Sequence, residues 1–181
     1  MATKKKSTLT DTVLAVPQYV KLGWVVIPLK DKIPLMKGWN IMDSTPKLYH
    51  VFNEKNLGVI TGRRSGITVL DIDIKDNGLK HWKQIVKLYP DFTTVCCRTP
   101  SGGMHMYFQY EESLLTTSRF TLNGNTIGWD VMNQNRQVVL PPSNINNKYY
   151  QWINSPFNTQ IAKMPKWLLW YLSNMKMFDK Q

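Results

Sequence analysis

Apolar positions recur along this chain at two different spacings, and each spacing predicts its own kind of element. Residues 11–22 have helical spacing, with Pro17 limiting where that helix can begin. Residues 24–29 are a short apolar run containing a proline, which reads as a buried strand. Residues 45–54 predict a helix, with Thr45 as N-cap and Pro46 at the first helical position. Two strand-like stretches, 57–61 and 66–74, flank a Gly-Arg-Arg-Ser turn. Residues 77–89 read as a helix stopped by Pro90. Strands and turns then alternate, with strands at 94–99, 104–110, 126–132, 137–140 and 149–153. The Asn-rich stretch 144–147 reads as a loop, and Pro165 opens a last amphipathic helix over 166–175. Several strands with a few helices predict an α/β or α+β fold.

Composition narrows the class. The 181 residues are 43% hydrophobic, with Trp 7, Tyr 8 and Phe 6. That supports one domain with a real core, or two small lobes sharing a cleft, and excludes disorder over the whole length. No repeat or Pro/Gly/Ser-rich linker divides the chain. Residues 1–10, with Lys4-Lys5-Lys6, are expected to be a basic flexible tail ahead of a single domain over 11–181. The net charge is +11 and the pI near 9.7. Such a balance suits a polyanionic partner, nucleic acid or nucleotides, although a solubilising excess of lysine produces the same figure. The two cysteines, Cys96 and Cys97, are neighbours and point to opposite faces of a strand, so they make poor joint metal ligands. No CxxC or Cys/His cluster supports a structural zinc site. A reduced, cytoplasmic and non-secreted protein without a membrane span is expected (host cytoplasm or nucleus, if viral).

Three local patterns carry candidate chemistry. In 67–74 an apolar strand holds Asp71 and Asp73. Side chains at i and i+2 share a face, so both carboxylates project together while Leu70, Ile72 and Ile74 fill the other face. Two such carboxylates repel and are costly to desolvate. A divalent cation removes that cost, and hard oxygen ligands suit Mg²⁺ or Mn²⁺. The competing reading is an edge strand with two solvated aspartates. In 99–108 a small-residue turn, Ser101-Gly102-Gly103, feeds a strand bearing His105. Glycines let backbone N–H groups approach an anion, and His105 can donate to a phosphate. A plain hairpin turn with a structural histidine has the same sequence. In 127–132 Asp130 sits on another apolar strand, as a third ligand or a surface aspartate. A strand over 137–140 then ends at Pro141-Pro142-Ser143.

In this order, DxD, GGxH and a lone Asp before a Val138-Val139 strand closed by Pro-Pro-Ser resemble the Prim-Pol (bifunctional DNA primase/polymerase) domain of the archaeo-eukaryotic primase superfamily. Gly23-Trp24, Pro28-Leu29, Lys32-Ile33-Pro34, Gly38-Trp39, Leu57–Gly62 with Ser65-Gly66, Tyr150-Gln151-Trp152 and Met164–Leu168 resemble its flanks. The resemblance implies an archaeo-eukaryotic primase fold, an α/β module joined to an RRM-like module with the active site in the cleft between them. It implies that Asp71, Asp73 and Asp130 hold two metal ions, Mg²⁺ or Mn²⁺. His105 would contact the incoming triphosphate, helped by Ser101, Gly102 and Gly103. A primer 3′-hydroxyl would attack the α-phosphate of a dNTP or NTP on a single-stranded DNA template, in replication of a mobile element, virus or plasmid. Some relatives insert a zinc-binding stem that this chain lacks. Many continue into a helical primase domain and a helicase, so either a stand-alone core or a piece of a longer protein is expected.

Accessory contacts are weaker. Arg63, Arg64, Arg98 and Lys32 are candidates for phosphate contacts, or solvated loop charges. Tyr107 shares the His105 face and is expected at the nucleotide pocket. Trp24, Trp39 and Trp129 are candidates for base stacking, with Trp24 better placed in the core. A replication-initiator nuclease needs paired histidines, and the strand here reads His105-Met106-Tyr107. A non-catalytic single-strand-binding module leaves three carboxylates on apolar strands of a basic protein unexplained. A metal-dependent nucleotide hydrolase stays open, because DxD alone suits it too.

Overall fold

A computed structural model describes residues 10–47, 49–117, 120–122 and 124–177. Of the expected basic tail, only Thr10 falls among them. The chain runs α1 (Asp11–Lys21), β1 (Val26–Lys30), β2 (Ile33–Pro34), β3 (Asn56–Ile60), β4 (Ile67–Ile72), α2 (Gly78–Ile85), β5 (Val95–Arg98) and β6 (Met104–Gln109). It continues through β7 (Phe120–Leu122), β8 (Asn125–Thr126), β9 (Trp129–Met132), β10 (Gln137–Leu140), β11 (Asn144–Ile145), β12 (Lys148–Tyr149), β13 (Gln151–Asn154), α3 (Lys166–Asn174) and β14 (Lys176–Met177).

The strands form antiparallel sheets, so the fold takes the α+β branch of the expected class. A four-stranded sheet has the order β10-β3-β1-β2, and a five-stranded sheet the order β13-β5-β6-β4-β9. Two apolar clusters hold these layers. The first joins α1 and the four-stranded sheet (Val26, Leu29, Val59, Val139) to one face of the five-stranded sheet through Val69, Val95 and Tyr107. The second covers the opposite face, where Leu70, Ile72, Phe108 and Trp129 meet Trp82 of α2 and Leu168 and Leu172 of α3. The five-stranded sheet is therefore buried on both faces, which explains its near-continuous apolar strands.

Several expectations change. Helix α1 runs through Pro17 despite the lost backbone bond, because Val13, Val16 and Tyr19 are buried on its inner face. The helix expected at 45–54 reduces to a single 3₁₀ turn, Tyr49–Phe52. The Thr45 hydroxyl is engaged elsewhere: it accepts from the Val26 N–H at 2.8 Å and donates to the Trp24 carbonyl at 3.3 Å. It pins the start of β1 instead of capping a helix. The strand expected at 126–132 is broken at Gly128, and its two parts, β8 and β9, belong to different sheets. The Asn-rich loop is a tight hairpin, with Asn146 and Asn147 at φ 51° and 61° between β11 and β12. Ile74 lies past the end of β4 and is 53% exposed, so it does not share the buried face of Leu70 and Ile72.

Candidate active site

Strand register assembles the site. Asp71 of β4 lies opposite His105 of β6 on one side and opposite Asp130 of β9 on the other. His105 in turn lies opposite Cys97 of β5. Directly opposed residues share a face, so Cys97, His105, Asp71 and Asp130 form one row across four strands. The row is on the face that looks toward the four-stranded sheet, since Val69, Val95 and Tyr107, two residues further along their strands, join the cluster shared with that sheet. Strand register, not spacing along one strand, brings Asp130 and His105 to Asp71 from strands distant in sequence.

The row is electrostatically loaded. Burial, then the neighbouring charges of Asp73 and Asp130, push the Asp71 carboxyl up to about 7, while Lys32 pulls it down. Asp71 Oδ1 is buried and has no hydrogen-bond partner. Its nearest basic neighbour in the row is His105 Nε2, at 3.5 Å. His105 is 4% exposed, and burial, with the positive charge of Lys32, drives its pKa down to about 3. The ring is therefore neutral at pH 7. The Val139 carbonyl works the other way on the ring without closing a hydrogen bond to Nδ1, which has no partner. Tyr150 packs on the imidazole with ring centroids 5.6 Å apart, and burial followed by the Asp71 charge raises its phenol.

Close backbone packing fixes Asp73. Its N–H donates to the Gly128 carbonyl at 2.7 Å, and its own carbonyl accepts from the Leu79 N–H at 2.8 Å. A Cβ at Gly128 would collide with the Lys75 carbonyl, and one at Gly103 with the Ile72 carbonyl. Only glycine lets the 99–103 turn and the β8–β9 junction press against the end of β4. Gly102, at φ 96°, closes that turn, with the Gly102 N–H donating to the Thr99 carbonyl at 2.9 Å and the Ser101 and Thr99 hydroxyls 3.0 Å apart.

The structure gathers some predicted residues and disperses others. Lys32, exposed in the β1–β2 turn, projects its charge onto both Asp71 and His105. Arg63 and Arg64 precede β4, whose first residue, Ile67, is itself four strand residues (about 13 Å) from Asp71. There Arg63 pairs with Glu112, and Arg64 with Asp43 at 2.8 Å. Arg98 alternates to the face opposite Cys97 and His105. Tyr107 is fully buried and stacks on Trp24 at 5.6 Å, so it packs beside the row on the same face and does not line an open pocket. Trp24 and Trp129 are core residues. Trp39 lines a cavity of about 350 Å³ with Thr117, Met132, Arg136 and Gln137, and Met132 shares the face of Asp130 two residues away. The sequence reading missed the roles of Tyr150 and Gly128. Gly128, a glycine interrupting an apolar strand pattern, carried a readable signal.

Among the described residues, no three or more His, Cys, Asp or Glu side chains converge as a ready-made metal cluster. The donor chemistry nevertheless fits a divalent cation. A buried carboxylate oxygen without a partner, destabilised by two further carboxylates, suits an ion whose remaining positions are filled by phosphate and water.

The sequence profile of Prim-Pol, described as bifunctional DNA primase/polymerase, N-terminal, matches residues 16–167. The chain belongs to the Prim-Pol family. The matched span runs from α1 into α3 and contains every residue of the row. Family membership implies a nucleotidyltransferase-type enzyme with DNA primase/polymerase activity. No curated protein matches the chain. Among the described residues, no helix is long and apolar enough to cross a membrane.

Proposed function

We propose that this Prim-Pol chain catalyses template-directed nucleotidyl transfer, joining a nucleoside triphosphate to a primer on a DNA template. The observation that carries this reading is Asp71: buried, unpartnered at Oδ1, and crowded by Asp130 in the cross-strand row and by Asp73 beside it. A structural site would have evolved away such a cost, or matched it with hydrogen bonds. A binding module gains nothing from carboxylates facing a phosphate backbone.

Asp71, Asp73 and Asp130 would hold Mg²⁺ or Mn²⁺. When bound, these ions stabilise charge on the attacking and leaving oxygens. The protein's own groups position and balance. Lys32 offsets carboxylate charge from the opposite sheet. His105, kept neutral by burial, has a ring N–H to offer a phosphate oxygen, and Tyr150 holds the ring in place. Gly102 and Gly103 bring backbone close to the same end of β4. The sheet supports an RRM-like reading: β4, α2 and β5 form a split βαβ unit with β6 inserted between its strands, and α2 and α3 cover one face. The four-stranded sheet with α1 then corresponds to the α/β module, with the active site between the two.

The test is product length. A labelled primer–template is incubated with Mg²⁺ or Mn²⁺ and separate dNTP and NTP pools. The reading expects extended strands, and the productive pool reports the sugar preference. Free nucleotide hydrolysis without extension would replace it with a hydrolase. Bound but unchanged strands would replace it with a binding module.

A further inference from the structure

Helix α2 carries a basic groove that the active-site row does not use. The groove encloses about 420 Å³ and is lined by Ile74, Leu79, Lys80, Lys83, Gln84 and Lys87, among others. Trp82 and Ile85 turn the other side of α2 into the second apolar cluster and the buried interior, so the lysines face outward. Lys80 and Lys83 share one face of α2, and Lys87 follows in the 3₁₀ turn Val86–Leu88 that continues it; all three line the groove. No aspartate or glutamate lines the groove, and no ion pair among the described residues involves these lysines.

A merely solvated charged face needs no apolar floor, yet Ile74 is 53% exposed here and Leu79 lies beside it. The groove also begins at the site. Ile74 follows Asp73 directly, and the Leu79 N–H donates to the Asp73 carbonyl at 2.8 Å. Gly102, in the turn proposed to face the triphosphate, would carry a Cβ 3.8 Å from Ile74. From Lys80 on α2 to Lys87 in the 3₁₀ turn the chain advances about 10–12 Å. Phosphates of one duplex strand advance about 3.4 Å each along the axis, so three lysines over that length match about three consecutive phosphates.

The geometry points to this groove as the track for the backbone of one nucleic-acid strand entering or leaving the active site. Lys80, Lys83 and Lys87 meet consecutive phosphates, and Ile74 and Leu79 contact sugars or bases. The inference rests on the reading of the site as one that works on a nucleic-acid strand.

The test is the salt dependence of binding. A fluorescent primer–template is titrated with the full chain over a NaCl series, with divalent ions chelated and no nucleotide present. Wild type is compared with Lys80→Gln/Lys83→Gln/Lys87→Gln, and with a charge-matched control, Lys21→Gln/Lys47→Gln/Lys163→Gln. Glutamine keeps helix propensity close to that of lysine, and thermal melting checks the fold. Losing three phosphate contacts lowers the magnitude of the log–log slope by about 2 to 3. That drop is expected in the groove variant alone, with affinity for a labelled nucleoside triphosphate within about twofold of wild type. An unchanged slope, an equal drop in both variants, or a loss confined to nucleotide binding overturns the track. Primer extension by wild type is read in parallel. Extension with an unchanged slope discards the track and keeps the transfer reading. A reduced slope without any extension does the reverse.

Discussion

The two faces of the five-stranded sheet are built from the same strands and have opposite characters. On the face toward α2 and α3, apolar side chains interlock and polar atoms are matched: the buried Trp129 Nε1 donates to the Gly78 carbonyl at 2.9 Å. On the other face, one residue along each strand, Asp71 Oδ1 and His105 Nδ1 are buried without partners, and both pKa values are displaced. The first face is packing throughout, whereas the second sets an electrostatically costly row beside the packed Val69, Val95 and Tyr107. Because side chains alternate, a protein can load a functional row onto a strand whose other face does the structural packing.

That contrast predicts opposite responses to substitution. Asp71→Asn should reduce primer extension at least about 1000-fold, a loss of roughly 4 kcal/mol in transition-state stabilisation. The same change removes a destabilising charge. Metal-free protein at pH 8 should therefore gain up to about 4 kcal/mol, or roughly 8–16 °C in Tm. On the packed face, Trp129→Phe deletes the Gly78 hydrogen bond and part of a buried ring. It should cost about 1–3 kcal/mol in denaturant unfolding while leaving extension per folded molecule intact. Trp129 adjoins Asp130 in sequence, so a variant here that lost activity without losing stability would break the division between faces.

The pH dependence of metal-free stability sharpens the comparison further. Asp71, raised to about 7, holds a proton in the folded state that the unfolded chain has released; its contribution falls as pH rises from about 4 to about 7. His105, lowered to about 3, refuses a proton that the unfolded chain accepts. Its contribution is present above about pH 6.5 and is lost as pH falls toward 3. Between about pH 4 and 6.5 the two slopes offset. Wild type should be flat there with respect to this pair. In Asp71→Asn stability should rise with pH across that window, and in His105→Gln it should fall up to about pH 7. Melting curves in chelator-containing buffers read both signs. The smallest effect belongs to Lys32→Gln. Its charge lowers the pKa of Asp71 and His105 alike, so its loss should move the acid limb of the extension profile upward by less than about one pH unit.

The same alternation explains what the sequence could reveal. Asp71, Asp130 and His105 were legible because each sits in a short apolar strand, where period-2 geometry fixes the face; Asp73 lies just past the end of β4. Register between distant strands, which makes them one row, was legible only through the family resemblance. Arg63 lies away from the row for the complementary reason: it precedes β4, and the four strand residues from Ile67 to Asp71 alone span about 13 Å. Lys32 and Tyr150 reach the row through tertiary packing that no local pattern encodes. The helix expected at 45–54 had correct capping residues, yet the Thr45 hydroxyl was recruited by the backbone of β1. Local propensity yielded to a tertiary hydrogen bond.

The central claim is that the Asp71 row is a metal-dependent transfer site set at the expense of stability. Asp71→Asn measured by primer extension with Mn²⁺ and by thermal melting at pH 8 tests both halves in one protein. The account predicts a variant that melts higher than wild type and extends no primer. A variant that extends primer at the wild-type rate, or that melts lower while wild type melts higher, would contradict it.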